Sequence, residues 1–513
     1  MALGFFGSGK VDHPMADPKR ARELVAELPV ADAFRTVSDV TEWLDSINRT
    51  EGFRLDRRFE NIAMLDGAAK NPQRRLAQDY LAMARPQKFQ ENRLWTAAFG
   101  FWQHLGDAYL RCVQEHEANI NGASSIRRHM PVIVARALRA LALQIKWVLL
   151  RYGVPEARIW RDIARLYRLA ERKGWAEGEI EIYPGAHGAG TVKRELLKAL
   201  MLSASSMDGL SPVRQEIAER TIAHFSGSFA LSVRPDGATH GFDLEKPAAP
   251  SRLPKGVVPA ESLRFFGAGG ALAGVEALMK QIAERGVPPE VNLGGSYDRN
   301  IVTGVLKHLS LQWSDRPPVR GSERRKTASS ITVVPGLDDI IGVLDPSASD
   351  ELDFSREQPA QSADSWIVVD ASEGGFGAIV PGQKSDWIRV GTLVGVQTEV
   401  SPQWGVGLIR RITRDAHQQR QVGIQLLTRT ALPVKVAPSA AAAAREPQPA
   451  ILLSTSPDRQ GEVGVLLREG FYNGRDSLEM TVRDKSYLLM PGSMLEGGEG
   501  FDWARFKVMQ RSA

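Results

Sequence analysis

Two stretches of this chain carry residue types that could do chemistry. The first is Trp366-Ile-Val-Val-Asp370-Ala-Ser372-Glu-Gly-Gly375-Phe-Gly377. Residues 366–369 are apolar and read as a buried strand, and Asp370 and Ser372 set two short polar side chains at its end. Glycines follow; they take backbone angles closed to other residues and let a ligand approach the main chain. The second stretch is Arg316-Pro-Pro-Val-Arg320-Gly-Ser-Glu-Arg324-Arg325-Lys326, upstream of an expected strand over residues 331–334. Guanidinium forks pair with phosphate oxygens two at a time and stack on flat rings. A basic arm, a strand and a polar, glycine-ended turn therefore point to an anion site.

Residues 331–430 alternate short apolar runs with Gly, Pro and Asp turns, the pattern of an all-β barrel or sandwich. An arginine cluster, a strand and then Asp-x-Ser-x-x-Gly resembles the PilZ family of cyclic di-GMP receptors. Arg320 and Arg324 fill that family's Arg-x-x-x-Arg motif, and Asp370, Ser372 and Gly375 fill its second motif. Gly391 and the runs 404–409 and 422–427 look like its later barrel strands. The resemblance implies a small β-barrel that binds cyclic di-GMP and needs no other cofactor. It implies that Arg320, Arg324 and Arg325 clamp phosphates and guanines and that Asp370 accepts from guanine N–H groups. Ser372 would meet a base edge or a phosphate, and Gly375 would let the backbone come close.

The rest of the chain bounds this reading. Its 513 residues suggest two to four domains, and 43% hydrophobic content is ordinary for packed cores. A net charge of +5 argues against a dedicated nucleic-acid coat but allows local anion sites, so no DNA partner is expected. The single cysteine, Cys112, fits a reducing compartment. The first residues lack a basic region and a long apolar core, so no signal peptide is read. The most apolar window, 132–150, holds Arg136, Arg139 and Lys146, which argues against a membrane span. A cytoplasmic protein is the expectation. The histidines show no metal-ligand spacing, and no activated nucleophile appears, so neither a metal site nor an enzyme is expected. The segment Gly4-Phe-Phe-Gly-Ser-Gly9-Lys10 is a near miss to a phosphate loop, with Val11 where Ser or Thr should stand.

The fold class expected is multidomain α+β, with an all-α N-terminal domain, a PilZ-like β-barrel and a small C-terminal β extension. Residues 1–30 read as a flexible terminus and 31–245 as helical. Leu94, Ala98, Phe101, Leu105, Ala108 and Cys112 make one buried helix face. Val134, Leu138, Leu141, Ile145 and Val148 make a second, and Ile159, Ile163, Leu166 and Leu169 a third. A hairpin is expected around Arg234-Pro-Asp-Gly237. Residues 246–260 read as a Pro-rich linker and 261–315 as connecting helices. The barrel with its basic arm spans 316–434, an Ala/Pro linker 435–449, and the C-terminal β unit 450–513. Inside the barrel, residues 336–364 form an acidic insert expected as a solvated loop that neutralises the arm. The PilZ resemblance implies a receptor that relays cyclic di-GMP level to a protein partner through the helical domain, in motility or biofilm control. The alternative is an interaction scaffold with a degenerate, non-binding barrel.

Overall fold

The computed structural model describes residues 11–83, 88–185, 189–246, 248–316, 325–345, 363–382, 387–415, 419–439, 447–482 and 485–510. The chain divides into two compact units, Met1–Pro318 and Val319–Ala513. Helices dominate the first and barrels the second, as the α+β class requires.

In the first unit the expected stripes become helix faces. Lys88–Glu117 buries Leu94, Ala98, Phe101, Leu105, Ala108 and Cys112. Met130–Leu149 starts with Pro131 in its first turn, where a missing N–H costs nothing, and buries Val134, Leu138, Leu141 and Ile145. The Gly153 N–H then returns to the Val148 carbonyl at 3.0 Å and ends the helix. Ala157–Arg172 buries Ile159, Ile163, Leu166 and Leu169. One apolar core runs from Met15 to Trp313, so the helices Ala271–Arg285 and Arg299–Trp313 belong to this unit. Charged groups inside this unit are paired: Lys146 sits 2.5 Å from Glu216 and 2.9 Å from Glu219.

Two sequence expectations fail here. The helical region also holds a sheet, made by β1 (Ala230–Ser232), β2 (His240–Asp243), β3 (Ser251–Arg252) and β4 (Leu263–Gly267) in the order β1-β4-β2-β3. The turn at Arg234–Gly237 does not make a hairpin, because β4 lies between β1 and β2 and pairs with both. The Pro-rich stretch is not a boundary between domains either. It supplies β3, which pairs with His240 and Gly241, and both of its flanks lie in the first unit. Short strands built on long-range pairing leave little periodicity to read. The near-miss phosphate loop lies outside the described residues.

The second unit contains two closed barrels. The first is built from β5 (Arg325–Pro335), β6 (Asp364–Ser372), β7 (Gly375–Val380), β8 (Leu393–Thr398), β9 (Trp404–Arg414) and β10 (Arg420–Thr428). The second is built from β11 (Leu432–Pro438), β12 (Gln448–Leu452), β13 (Glu462–Leu467), β14 (Leu478–Val482), β15 (Lys485–Gly498) and β16 (Phe501–Gln510). The expected C-terminal extension is therefore a whole barrel, and its first strand takes up residues that the sequence pattern assigns to the first barrel and the linker.

The first part of the acidic insert is helical. Leu337–Leu344 is a helix that buries Leu337 and Ile340, and Asp338 pairs with Arg468 of the second barrel at 2.9 Å. Apolar residues at 337, 340, 341 and 344 give it one face, which its acidic composition disguised. Residues 346–362, with Asp350, Glu351, Asp353 and Glu357 of the insert's proposed arm-neutralising charge, lie outside the described residues. The inner barrel row Val368, Ala378, Val422 and Ile412 is buried throughout, with exposures of 1%, 0%, 3% and 1%.

Candidate functional site

β6 and β7 are joined by Glu373 and Gly374, with Ser372 opposite Gly375 at the hairpin's end. The expected strand 366–369 alternates instead of being buried throughout: Trp366 and Val368 face inward, while Ile367 is 50% exposed. Continued alternation would send Asp370 inward as well. A register shift between Val368 and Asp370 prevents this, because Val369 has no partner of its own. Asp370 then stands opposite Gly377, one place along from the inward-facing Ala378. Residues directly opposite share a face, so the bulge turns Asp370 outward, and Ser372 with it. Both are half-buried. An ionised carboxylate inside the apolar barrel would be strongly disfavoured.

The same outward row continues around the barrel. Lys326 of β5 lies opposite Asp370, which lies opposite Gly377, then Gly423 of β10, then Arg411 of β9. The two glycines place no side chain between the Lys326–Asp370 pair and Arg411. The Arg411 side chain lies across Gly423, within 3.5 Å of where a Cβ would stand.

The arm begins closer to this row than its sequence implies. β5 starts at Arg325, not near Ile331, and Arg325 pairs with Ala371, beside Asp370. Its first residues, Arg325-Lys-Thr-Ala-Ser-Ser330, are exposed or half-buried and nearly all polar, so no hydrophobic run marks them as strand. Arg320 and Arg324 themselves lie outside the described residues. Arg325 is exposed.

Gly375 has a structural reason to be glycine. A Cβ there would stand 1.9 Å from the Ile424 carbonyl oxygen of β10. The close approach it permits is to the protein's own backbone, and Leu426 N–H donates to the Gly374 carbonyl at 3.0 Å on the same flank. The Ser372 hydroxyl donates to the Gly375 carbonyl at 3.4 Å, a long bond that leaves the hydroxyl adaptable. Sequence spacing does not point to Arg429. Its Nη2 donates to the carbonyls of Ser372 and Glu373 at 3.4 and 3.2 Å, setting another exposed guanidinium on the turn. Neither Arg411 nor Arg429 has motif spacing; only strand register brings them here.

Taken together, strand register puts Lys326 and Arg411 in the outer row of Asp370, Arg429 bonds the Ser372 carbonyl, and Arg325 enters in the neighbouring row, opposite Ala371. Two family models match the chain in order. One is the N-terminal domain of the cyclic-di-GMP receptor FimW, over residues 19–236, which gives the helical region the family its sequence alone did not suggest. The other is the middle PilZ domain of the same receptor, over residues 345–433. That second match contains Asp370, Ser372 and Gly375 and begins after the arginine arm. No curated protein matches the chain. The family that the chain matches, in both its helical region and its first barrel, is that of the cyclic-di-GMP receptor FimW.

Proposed function

We propose that this chain is a non-enzymatic cyclic di-GMP receptor whose ligand lies on the outer row of the first barrel. The observation that carries the reading is the convergence at Asp370. The bulge in β6 turns this carboxylate outward, and β5 sets Lys326 directly opposite it. Arg320, Arg324 and Arg325 would take phosphates and guanine faces, and Asp370 would accept from guanine N–H groups. A purine-reading carboxylate beside several guanidiniums suits a ligand with two phosphates and two guanines. Ser372 would hold a base edge or a phosphate, and Gly375 would keep the turn's shape.

The helical unit would pass the bound state to a protein partner, in surface attachment or motility. Among the described residues no helix is long and apolar enough to cross a membrane. Calorimetric titration of the full chain with cyclic di-GMP tests the reading. Saturable binding that is lost when Arg320 and Arg324 are both changed to Ala supports it. No binding by the intact chain leaves the alternative, a scaffold with a degenerate barrel.

A further inference from the structure

The two barrels of the second unit have one connectivity. The first closes in the order β10-β7-β6-β5-β8-β9, the second in the order β11-β12-β13-β16-β15-β14. Adding six to each strand number of the first reproduces every neighbour in the second: β5–β6 becomes β11–β12, β7–β10 becomes β13–β16, and β8–β5 becomes β14–β11. All six ladders are antiparallel in both barrels. A barrel duplicated within one chain would share every pairing in this way.

This correspondence locates the second barrel's counterpart of the ligand face. Asp370 lies opposite Gly377, the third residue of β7; in the second barrel the third residue of β13 is also glycine, Gly464, whose carbonyl accepts from Leu453 N–H at 2.9 Å. Leu453 thus stands where the first barrel has a carboxylate, and Ile451, two residues back along the chain, shares its face; both are buried aliphatics, at 8% and 0% exposure. The interior of the second barrel is filled by other residues, among them Val436, Leu452 and Val465. Ile451 and Leu453 instead pack in a core with Val334, Ile340, Leu393 and Leu408 of the first barrel and its helix. Charged pairs flank that core, with Arg410 bonded to Glu496 at 2.7 Å and Arg468 to Asp338 at 2.9 Å. The β12–β13 connection also departs from the two-residue hairpin of the first barrel, running from Leu453 to Gly461.

We propose that the C-terminal barrel is a second copy of the ligand barrel whose nucleotide-bearing face has become the surface that docks on the first. The occupant of that face is the first barrel itself, and the chain keeps one class of nucleotide site. The count of sites rests on the receptor reading above; the docking face does not.

Two measurements on the full chain test this. Calorimetry with cyclic di-GMP on the wild type and on an Asp370→Ala, Ser372→Ala double variant reads the sites. One class of site, lost in the double variant, is expected; a second saturable site that survives it would overturn the proposal. Amide hydrogen exchange on Leu453→Ala reads the docking face. Exchange in the helix Leu337–Leu344 of the first barrel should quicken on the order of tenfold, while amides beside Val436 stay near wild type. Ser456→Ala, in the same connection, should leave both unchanged. Exchange that quickens only inside the second barrel would refute the docking. A wild type that binds no nucleotide would contradict the receptor reading alone, and the exchange result would still decide the docking face.

Discussion

Lys326 and Asp370 stand directly opposite each other across the β5–β6 ladder, on the outer face of the first barrel. An opposite-charge pair in this position contributes roughly 0.2–1 kcal/mol. The pair also sets where the basic arm enters, since Arg325 precedes Lys326. Ligand binding should therefore depend on salt, because its contacts are charge-assisted and exposed. Lys326→Ala should weaken cyclic di-GMP binding and flatten its salt dependence, read as dissociation constants across a sodium chloride series. An unchanged salt slope would mean that β5 delivers no cation to the ligand.

Gly375 should tolerate no side chain. The Ile424 carbonyl occupies the place of a Cβ, so β7 and β10 would have to move apart. Gly375→Ala should destabilise the second unit by roughly 1–3 kcal/mol or more, as overpacking does. Gly342, inside the helix Leu337–Leu344 with nothing within 4 Å of its Cβ position, is the comparison. Its Ala variant should not destabilise the unit, because alanine is the better helix former by roughly 1 kcal/mol. Urea melts of the two variants separate these outcomes.

Leu141 is fully buried mid-way along Met130–Leu149. Leu141→Ala should cost roughly 2–5 kcal/mol through lost burial and the cavity left behind. A denaturation midpoint equal to the wild type's would place Leu141 outside the core.

Long amphipathic helices were legible in the sequence because one stripe, such as Leu94 to Cys112, repeats over several turns. The motif residues were legible because their types and spacing are local. What the sequence concealed depends on pairing. The bulge at Val369 reverses the facing of Asp370, yet residues 366–369 look like an unbroken apolar strand. The polar start of β5 shows no apolar pattern, and the helix Leu337–Leu344 hides inside an acidic run. β11 begins within what looked like the end of one barrel and the start of a linker, so the second barrel's first strand went unseen. Arg411 and Arg429 reach the site through register and a chain crossing, which no local pattern encodes.

His240 makes the first unit sensitive to acid. Burial, with a smaller contribution from Arg252, lowers its pKa to about 4. Its ring stacks on Phe266 at 5.4 Å and bonds Thr239 Oγ1 at 2.9 Å. The unfolded chain takes up this proton near pH 6.5 and the folded chain only near pH 4. Between those values the unfolded state binds more protons, so stability falls as pH falls, by at most roughly 1.4 kcal/mol per pH unit from this group. The loss is complete below pH 4. His240→Gln should flatten that part of the pH–stability curve relative to wild type, as read by denaturant melts from pH 7 to pH 4. Parallel curves would show that His240 titrates alike in both states.

The central claim is that a bulge-turned carboxylate and a basic arm form one ligand site. Calorimetric titration with cyclic di-GMP of the wild type and Asp370→Ala, side by side, tests it most directly. Saturable binding by the wild type is expected, weakened by roughly 1–3 kcal/mol in the variant, the worth of one good base-edge pairing. Equal affinity in the two proteins, at unchanged stability, would contradict it.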